Sequence, residues 1–525
     1  MWLGMPKKGV MKIQNINDLR NFENQINAAF RQYKLDHILL GIKFAKAKLE
    51  PFVIAGMTLF AFRNCTAGPK SQEIRYLEWK RISYLAHLVT EYLLADPLTF
   101  DKSILKQFQN SNPVFAMLRM VGNQFPYNVN LFGQYARPII LFNELPKKLA
   151  GRSNIPTFNL EDSFFKISGF SIADFIKVGF LAYTAAEFSK AFTRGYFEKA
   201  RSQGITVPHD SEMLPIIEQL STDPKKFIST YRKYMEVDRR FAMYDFNPLF
   251  LHPIVRPWRQ KRTVDQDQDR MLAPIPNLIA QRISMGIFYQ MFNHYKTEFS
   301  KYFGHVFEAY VGCILKASNY SSTLLSEEEI RRKYSQQKGK VPDWVIIDGA
   351  TTIFIECKAT RFSRAATTLG SEDTVNDSLK QVIKGLHQLY DFRKACRAKV
   401  EGLETFHTSK EFIPVLITLE PLHMINSILF KEFIDQKLSQ KGKTSFPWRI
   451  LSIGELEILQ AHLAAGVSFS EIINNLNAEA FNNVLMELHS LTGKTYKDSF
   501  LYIRDQEMYR LLGVPDKAAE PAACS

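Results

Sequence analysis

Two β-rich runs, DWVIID beginning at Asp343 and TTIFIEC further along, are separated by a glycine-containing turn, which predicts a β-hairpin. If Gly349-Ala350 forms a two-residue turn, Asp343 lies directly opposite Glu356. If Asp348-Gly349 forms it, Asp343 lies opposite Phe354, one same-face step from the glutamate. Side chains alternate with period two along a strand, so both carboxylates share a face in either register. A three-residue turn would break this alignment unless a bulge restored it.

A lysine joins the two carboxylates on this face. Lys358 follows Glu356 by two residues and therefore projects in the same direction. Charged side chains gathered at the end of an apolar hairpin destabilise it unless a ligand compensates them. Carboxylate oxygens suit Mg²⁺, with Mn²⁺ able to substitute, and an adjacent ammonium can orient the attacking water or help to deprotonate it. The pattern predicts metal-assisted hydrolysis with Asp343, Glu356 and Lys358 as catalytic residues.

These residues resemble the motif of the PD-(D/E)XK, or restriction-endonuclease-like, nuclease superfamily. Pro342-Asp343 matches the first part of that motif and Glu356-Cys357-Lys358 the second. A helix predicted before the hairpin, another after it and further strand candidates give the context that the superfamily shows. The resemblance spans roughly residues 295 to 465 and implies a mixed sheet flanked by helices. It also implies a Mg²⁺-dependent endodeoxyribonuclease in which Asp343 and Glu356 bind the metal.

The helix predicted before the hairpin carries a third acidic candidate. Its apolar residues between Phe299 and Leu315 form a broad stripe, and Glu308 lies at the edge of that stripe. Gly304 and Gly312 lie one turn on either side of Glu308 and leave that flank bare for a metal or a phosphate. A helical glutamate here resembles the superfamily's auxiliary acidic residue, which implies Glu308 as a catalytic metal ligand. The alternative is a solvated glutamate on a helix loosened by two glycines.

Candidate phosphate contacts follow the hairpin. The next predicted helix bears Gln381 and Lys384 beside its apolar stripe, and the superfamily often places Gln or Lys there, near the site or the DNA backbone. A long polar segment between hairpin and helix begins with Arg361 and Arg364, which could hold phosphates of the cleaved strand. The alternative for Gln381 and Lys384 is that they are solvated surface residues of the helix. The alternative for the two arginines, which explains them equally well, is that they are exposed charges on a mobile loop.

The length of 525 residues predicts more than one domain. Helical periodicity dominates the first part of the chain, and two short apolar runs there fit either strands or buried helices. Strands and helices alternate after residue 285, which predicts a C-terminal α/β domain behind a mainly α-helical N-terminal region. The predicted segments are a helical regulatory or recognition region at 1–245, a Pro-rich basic connection at 246–285, the nuclease-like domain at 286–512 and a disordered tail at 513–525.

The predicted connection brings cations beside an aromatic residue. Arg259, Lys261 and Arg262 follow Trp258 closely. Such a group can hold phosphates and stack on a base, which predicts a contact with nucleic acid. An ordinary polar linker anchored by one tryptophan shows the same pattern.

Charge and composition bear on partners and location. The formal net charge of +14 favours a polyanionic partner, because counterions released from phosphates reward cationic side chains, although surface solvation also explains it. The five cysteines form no CxxC pair and no cluster with histidine, so neither a zinc site nor a disulfide framework is indicated. No apolar run has the length of a signal peptide or a membrane span. We therefore expect a soluble, cytoplasmic protein that binds DNA and no membrane.

The leading hypothesis is a metal-dependent endonuclease that hydrolyses DNA, with the helical region deciding when or where it cuts. A large regulatory part joined to such a nuclease resembles bacterial restriction or antiphage-defence effectors, an analogy that implies partner defence proteins. Double-strand cutting by one site per chain would favour a homodimer. The alternatives are a catalytically silent nucleic-acid-binding or scaffold protein and a nuclease that cleaves transposon ends or junctions.

Overall fold

The chain, described here by a computed structural model, forms two compact units. The structure describes residues 13–66, 76–100, 114–127, 133, 135–189, 191–235, 238–257, 270–318, 323–333, 339–363, 366–367, 372–422, 424–475 and 488–511. The first unit comprises Met1–Asn130, Lys177–Ile283 and Thr367–Gly370, and the second comprises Leu131–Ile176, Ser284–Ala366 and Ser371–Ser525.

Helices make up most of the described chain, and strands are few. In chain order the helices are α1 (Ile16–Arg31), α2 (Leu35–Ala45), α3 (Pro51–Asn64), α4 (Trp79–Leu93), α5 (Pro97–Phe100), α6 (Val114–Gln124), α7 (Ala136–Ile139), α8 (Leu145–Leu149), α9 (Leu160–Ser168), α10 (Ile172–Phe188), α11 (Gly195–Ser202), α12 (Asp210–Leu220), α13 (Pro224–Tyr234), α14 (Asn277–Ile283), α15 (Met285–Ala317), α16 (Glu327–Lys333), α17 (Glu372–Arg397), α18 (Ile428–Ser439), α19 (Ile453–Ala464), α20 (Phe469–Asn475) and α21 (Phe500–Leu511). The strands are β1 (Ser221–Thr222), β2 (Ile254–Val255), β3 (Thr323–Ser326), β4 (Trp344–Asp348), β5 (Thr351–Lys358), β6 (Glu411–Thr418) and β7 (Arg449–Ser452).

The first unit is helical around one apolar core, with a short parallel pairing of β1 and β2. In α1 the buried side chains recur every three or four positions, so one face of the helix enters that core. The apolar run PFVIAGMTLFAF, which fits a strand or a buried helix, forms α3, and every residue from Val53 to Phe62 is buried. Asp223 caps α13 by accepting a hydrogen bond from the Lys226 backbone N–H at 2.8 Å.

The second unit contains a five-stranded mixed sheet in the order β3-β4-β5-β6-β7. The pairings from β3 to β5 are antiparallel, and those from β5 to β7 are parallel. The expectation of an α/β domain with a mixed sheet, after a helical region, is confirmed at this level. Within the described residues, no helix has an apolar stretch long enough to cross a bilayer.

The hairpin of β4 and β5 has the first of the two registers considered. Gly349 and Ala350 form the turn, and Asp348 pairs with Thr351. Gly349 has a φ of +59°, a conformation that glycine adopts without strain. Carried back along the strands, this register places Asp343 opposite Glu356.

Helices cover both faces of the sheet near this hairpin. The Phe354 ring of β5 packs against Phe392 of α17, with ring centroids 4.9 Å apart, so α17 covers the face that carries Glu356. On the other face, Gly312 of α15 packs against the Trp344 ring, and a Cβ at Gly312 would overlap that ring. Gly312 therefore makes room for a tryptophan rather than for a metal or a phosphate. Around Gly304, by contrast, no described atom beyond its own helix backbone lies within 4 Å of a Cβ built there.

The division into units differs from the predicted segments over two long stretches of the chain. Residues 131–176, assigned by the sequence to the N-terminal region, belong to the second unit, where buried Arg137 pairs with buried Glu457. The predicted connection is built into the first unit through β2 and α14, and its Ile254 and Val255 are fully buried. Local periodicity does not reveal such long-range contacts. Trp258, Arg259, Lys261 and Arg262 lie outside the described residues.

Candidate metal centre

Three carboxylates from separate parts of the chain meet at one end of the hairpin. Glu308 belongs to α15, Glu327 begins α16, and Asp343 directly precedes β4. One carboxylate oxygen from each lies within 4.8 Å of the others, and all three side chains are half-buried. Oxygens this close can share one cation.

Local hydrogen bonds hold two of these residues in place. The backbone N–H of Glu327 donates to the Asp343 carbonyl oxygen at 2.8 Å, which fixes the start of α16 beside the hairpin. Ser326 and Glu329 form a capping box, with the Ser326 N–H donating to Glu329 at 2.8 Å. The Trp344 indole N–H donates to the Glu308 carbonyl oxygen at 3.1 Å, so α15 is tied to the residue after Asp343.

Glu356 and Lys358 form an ion pair on the α17 face of β5. Lys358 Nζ donates to Oε1 of Glu356, whose side chain is 2% exposed. Oε2 of Glu356 is buried, and no group in the described part of the chain donates a hydrogen bond to it. The structure thus places Glu356 next to Lys358 and outside the triad of Glu308, Glu327 and Asp343.

Burial and neighbouring charges shift the pKa values of the hairpin carboxyls. Burial, and then the charges of Glu356 and Glu308, raise the pKa of Asp343 well above its usual value, against the opposing effect of Lys358. Burial also raises the pKa of Glu356, and Lys358 again opposes it. Burial works against the charge of Lys358, yet the ion pair with Glu356 outweighs it and raises the Lys358 pKa. A cation bound here would relieve the repulsion among the carboxylates.

Helix α17 passes close to this pair at Gly385. A Cβ at Gly385 would lie 3.5 Å from Cγ of Glu356 and 3.4 Å from Cε of Lys358. Gln381 and Lys384, which the resemblance places near the site or the DNA backbone, are both exposed on α17. Gln381 precedes Gly385 by one helical turn, so it extends the same side of the helix.

Of the two arginines predicted to hold phosphates just after the hairpin, the structure describes Arg361. Arg361 lies three residues after β5 and stacks on the ring of Tyr289, a residue that the sequence did not single out. Arg364, like the basic residues of the predicted connection, lies outside the described residues.

Sequence reasoning missed Glu327. Three consecutive glutamates, Glu327 to Glu329, look like a solvated charge run. The signal that marks them is the Ser326-x-x-Glu329 capping pattern, which predicts a helix start just before the hairpin. Only the pairing of β3 with β4 then brings Glu327 to Asp343.

The residues present fit a hard divalent cation. All three close donors are carboxylate oxygens, the type that Mg²⁺ and Mn²⁺ prefer, and the buried oxygen of Glu356 lacks a partner in the described structure. No known protein family, curated protein or solved structure matches the chain. Inferences about the chemistry of the chain therefore rest on the residues of the site.

Proposed function

We propose that this chain is a metal-dependent endonuclease that hydrolyses DNA phosphodiester bonds. The observation that carries the proposal is the hairpin register, which sets Asp343 opposite Glu356 while Glu308 and Glu327 reach Asp343 from two helices. The helix, antiparallel strands, helix and parallel strand around it support a restriction-endonuclease-like fold of the PD-(D/E)XK kind.

Glu308, Glu327 and Asp343 would hold the Mg²⁺, with Glu356 beside them. The metal would stabilise charge on the phosphoryl group and lower the pKa of the attacking water. Lys358 is protonated when it is paired with Glu356, so it supplies positive charge beside the reacting phosphate and can orient the water. Glu356 holds that ammonium in place.

Plasmid nicking tests the proposal. Purified protein with Mg²⁺ should convert supercoiled DNA to nicked or linear forms, and chelation of the metal should stop it. Asp343→Asn and Lys358→Ala should each slow cutting at least ~100-fold, because several kcal/mol of transition-state stabilisation depend on these groups. Glu411→Gln is the matched control, since Glu411 is an exposed carboxylate at the start of β6, the opposite edge of the sheet. Undiminished cutting by both site variants would refute the assignment.

The same proteins separate this function from a silent nucleic-acid-binding role. A protein that only binds or scaffolds DNA would leave the plasmid intact, bind it more weakly as salt rises and lose little affinity on Asp343→Asn. Branched and linear DNA tested side by side would reveal a nuclease for junctions or transposon ends. Linear products formed without a nicked intermediate would support paired chains.

We also propose a role in restriction or phage defence, by analogy with large regulatory regions joined to such nucleases. Cells that express the wild-type protein should plate phage less efficiently than cells that express Glu356→Ala. Equal plating on the two strains would count against this role, and it would leave the nicking assay as the test of the chemistry.

A further inference from the structure

Arg361 and Glu420 lie just beyond the ends of two neighbouring strands, one of which ends at Lys358. Lys358 ends β5, and its parallel partner Thr418 ends β6. Arg361 follows Lys358 by three residues, and Glu420 follows Thr418 by two. Both therefore lie past the carboxyl ends of adjacent parallel strands, the edge at which open α/β sheets commonly bind ligands.

Tyr289 of α15 connects these two residues. The guanidinium carbon of Arg361 lies 3.8 Å from the centroid of the Tyr289 ring, a stacking distance. The Tyr289 hydroxyl donates a hydrogen bond to Oε1 of Glu420. Thr418 fixes Glu420 in turn, because its Oγ1 donates to the Glu420 carbonyl oxygen at 2.8 Å. The ring is held at its hydroxyl end and offers its face to the arginine.

The Arg361 guanidinium is stacked but carries no ion pair. Within the described residues, no carboxylate lies within 4.0 Å of it and no oxygen accepts a hydrogen bond from it. Burial lowers the pKa of Arg361 to about 10, as expected for a desolvated and uncompensated positive charge. Stacking uses only the face of a guanidinium, so the N–H donors at its edge are left for an anion with paired oxygens, such as a phosphodiester.

We propose that Arg361 binds a phosphate on the nucleic-acid strand, next to the reacting phosphate beside which Lys358 lies. Tyr289 and Glu420 are positioning residues that hold the Arg361 guanidinium. The proposal rests on the proposed function for the identity of the ligand. The contacts run from Glu420 to Tyr289 to Arg361, and each restricts the next side chain before the substrate arrives. Such pre-ordering raises affinity, because less side-chain freedom is lost on binding.

Binding of the full-length chain to a short fluorescein-labelled DNA duplex tests the proposal, measured by anisotropy in EDTA over a range of KCl concentrations. Arg361→Ala should weaken binding about 10- to 100-fold, the loss expected for charge-assisted hydrogen bonds. It should also reduce the slope of log affinity against log salt by about 1. Arg361→Lys should keep the slope and lose part of the affinity, because lysine neither stacks as a plane nor binds two oxygens at once.

The matched control for charge is Arg397→Ala. Arg397 is exposed in the last turn of α17, and the neighbouring Arg393 donates to the Phe412 carbonyl oxygen near the start of β6. Arg397 therefore lies toward the opposite edge of the sheet. Its removal should leave affinity nearly unchanged.

The positioning role is tested by coupling. Tyr289→Leu should weaken binding about 3- to 10-fold in the wild-type background and have no further effect in Arg361→Ala, because it acts through Arg361. Glu420→Ala removes the acceptor of the Tyr289 hydroxyl, so it should raise KM for cleavage and leave kcat unchanged. A purely structural role for Tyr289 would instead lower affinity equally in both backgrounds and would overturn the assignment of Tyr289.

The outcomes distinguish this inference from the nuclease proposal. If the wild type cuts DNA and Arg361→Ala binds like Arg397→Ala, the inference is wrong and the nuclease stands. If the wild type binds DNA through Arg361 but never cuts it, the nuclease proposal fails and the inference stands. A wild-type chain that binds no DNA overturns both.

Discussion

Three acidic side chains of the candidate site each face a basic side chain close by on their own helix or strand. These pairs are Glu308 with His305 at 3.8 Å, Glu327 with Arg331 at 2.8 Å, and Glu356 with Lys358. Asp343 has no ion pair within the described residues, and its Oδ2 accepts the Cys357 backbone N–H at 2.6 Å. A divalent cation would therefore compete with weak, partly solvated pairs at the two helices, whereas at Asp343 it would meet a carboxylate without a counter-ion.

Glu327 offers the sharpest test at the scale of single residues. Glu327→Gln removes one charged oxygen donor from the triad, so the Mg²⁺ concentration for half-maximal cutting should rise about tenfold or more. Glu328→Gln is the matched control, because Glu328 is the next residue and points to solvent as an exposed side chain. Titrating cleavage with Mg²⁺ measures both variants. Equal metal dependence of the two would exclude Glu327 from the metal site.

The sequence predicts the part of the site whose residues lie close together along the chain. Asp343, Glu356 and Lys358 belong to one hairpin, so period-two alternation alone is enough to place them on one face. Glu327 reaches Asp343 only through the pairing of β3 with β4. Tyr289 reaches Arg361 through packing between a helix and a loop. No local rule of spacing predicts such contacts.

At the scale of elements, two glycines of α15 face different surroundings and should respond oppositely to substitution. Gly304→Ala should stabilise the protein by about 0.5–1 kcal/mol, because alanine favours helix and, in the part of the chain that the structure describes, the new Cβ has only its own helix backbone within 4 Å. Gly312→Ala should destabilise it by about 1–3 kcal/mol, because the Cβ would overlap the Trp344 ring.

Urea denaturation of both variants, followed by tryptophan fluorescence, measures this difference. Because Trp344 follows Asp343 directly, Gly312→Ala should also slow cutting, while Gly304→Ala should leave it unchanged. Stabilisation by both substitutions would mean that α15 does not pack on β4 as described.

At the scale of the whole chain, a buried ion pair joins distant parts of the second unit. Nε of Arg137 donates to Glu457 at 2.7 Å, and the Tyr310 hydroxyl donates to the same carboxylate at 2.7 Å. Arg137→Met should cost about 3–5 kcal/mol of unfolding free energy, because it leaves the Glu457 charge buried alone. Adding Glu457→Gln should restore most of that loss, since the amide is neutral and still accepts from Tyr310. If Arg137→Met alone had an unfolding free energy within about 1 kcal/mol of wild type, the ion pair would not have the stabilising role described.

The same pairing explains why the predicted boundary at residue 286 omits part of the second unit. The segment 131–176 has the helical pattern of the N-terminal region, so periodicity groups it there. This segment belongs to the second unit because of Arg137 and the Ala136 backbone N–H. The latter donates to Asp505 at 2.7 Å, although the two residues are far apart in the sequence. A fragment that begins at residue 286 would lack both partners.

Asp505 predicts how the stability of the folded chain depends on pH. Burial raises its pKa to about 7, against the opposing effect of the Ala136 hydrogen bond. The folded-state pKa lies above the unfolded value of about 4, so the protonated carboxyl favours folding at low pH and this contribution is lost as pH rises toward 7. Asp505→Asn stays neutral and still accepts from Ala136. Its advantage over wild type should therefore begin near pH 4, grow through pH 5 to at most about 4 kcal/mol near pH 7 and level off above.

Urea denaturation between pH 5 and pH 8.5 measures that difference, with Asp498→Asn as a control of opposite sign. The backbone N–H of Thr495 lowers the pKa of Asp498, so this carboxylate stabilises the fold above its unfolded pKa and loses that effect as pH falls. Asp498→Asn should therefore weaken the protein throughout this pH range by a nearly constant amount. If the difference in unfolding free energy between Asp505→Asn and wild type were also constant with pH, the Asp505 carboxyl would not titrate between its unfolded pKa and pH 7.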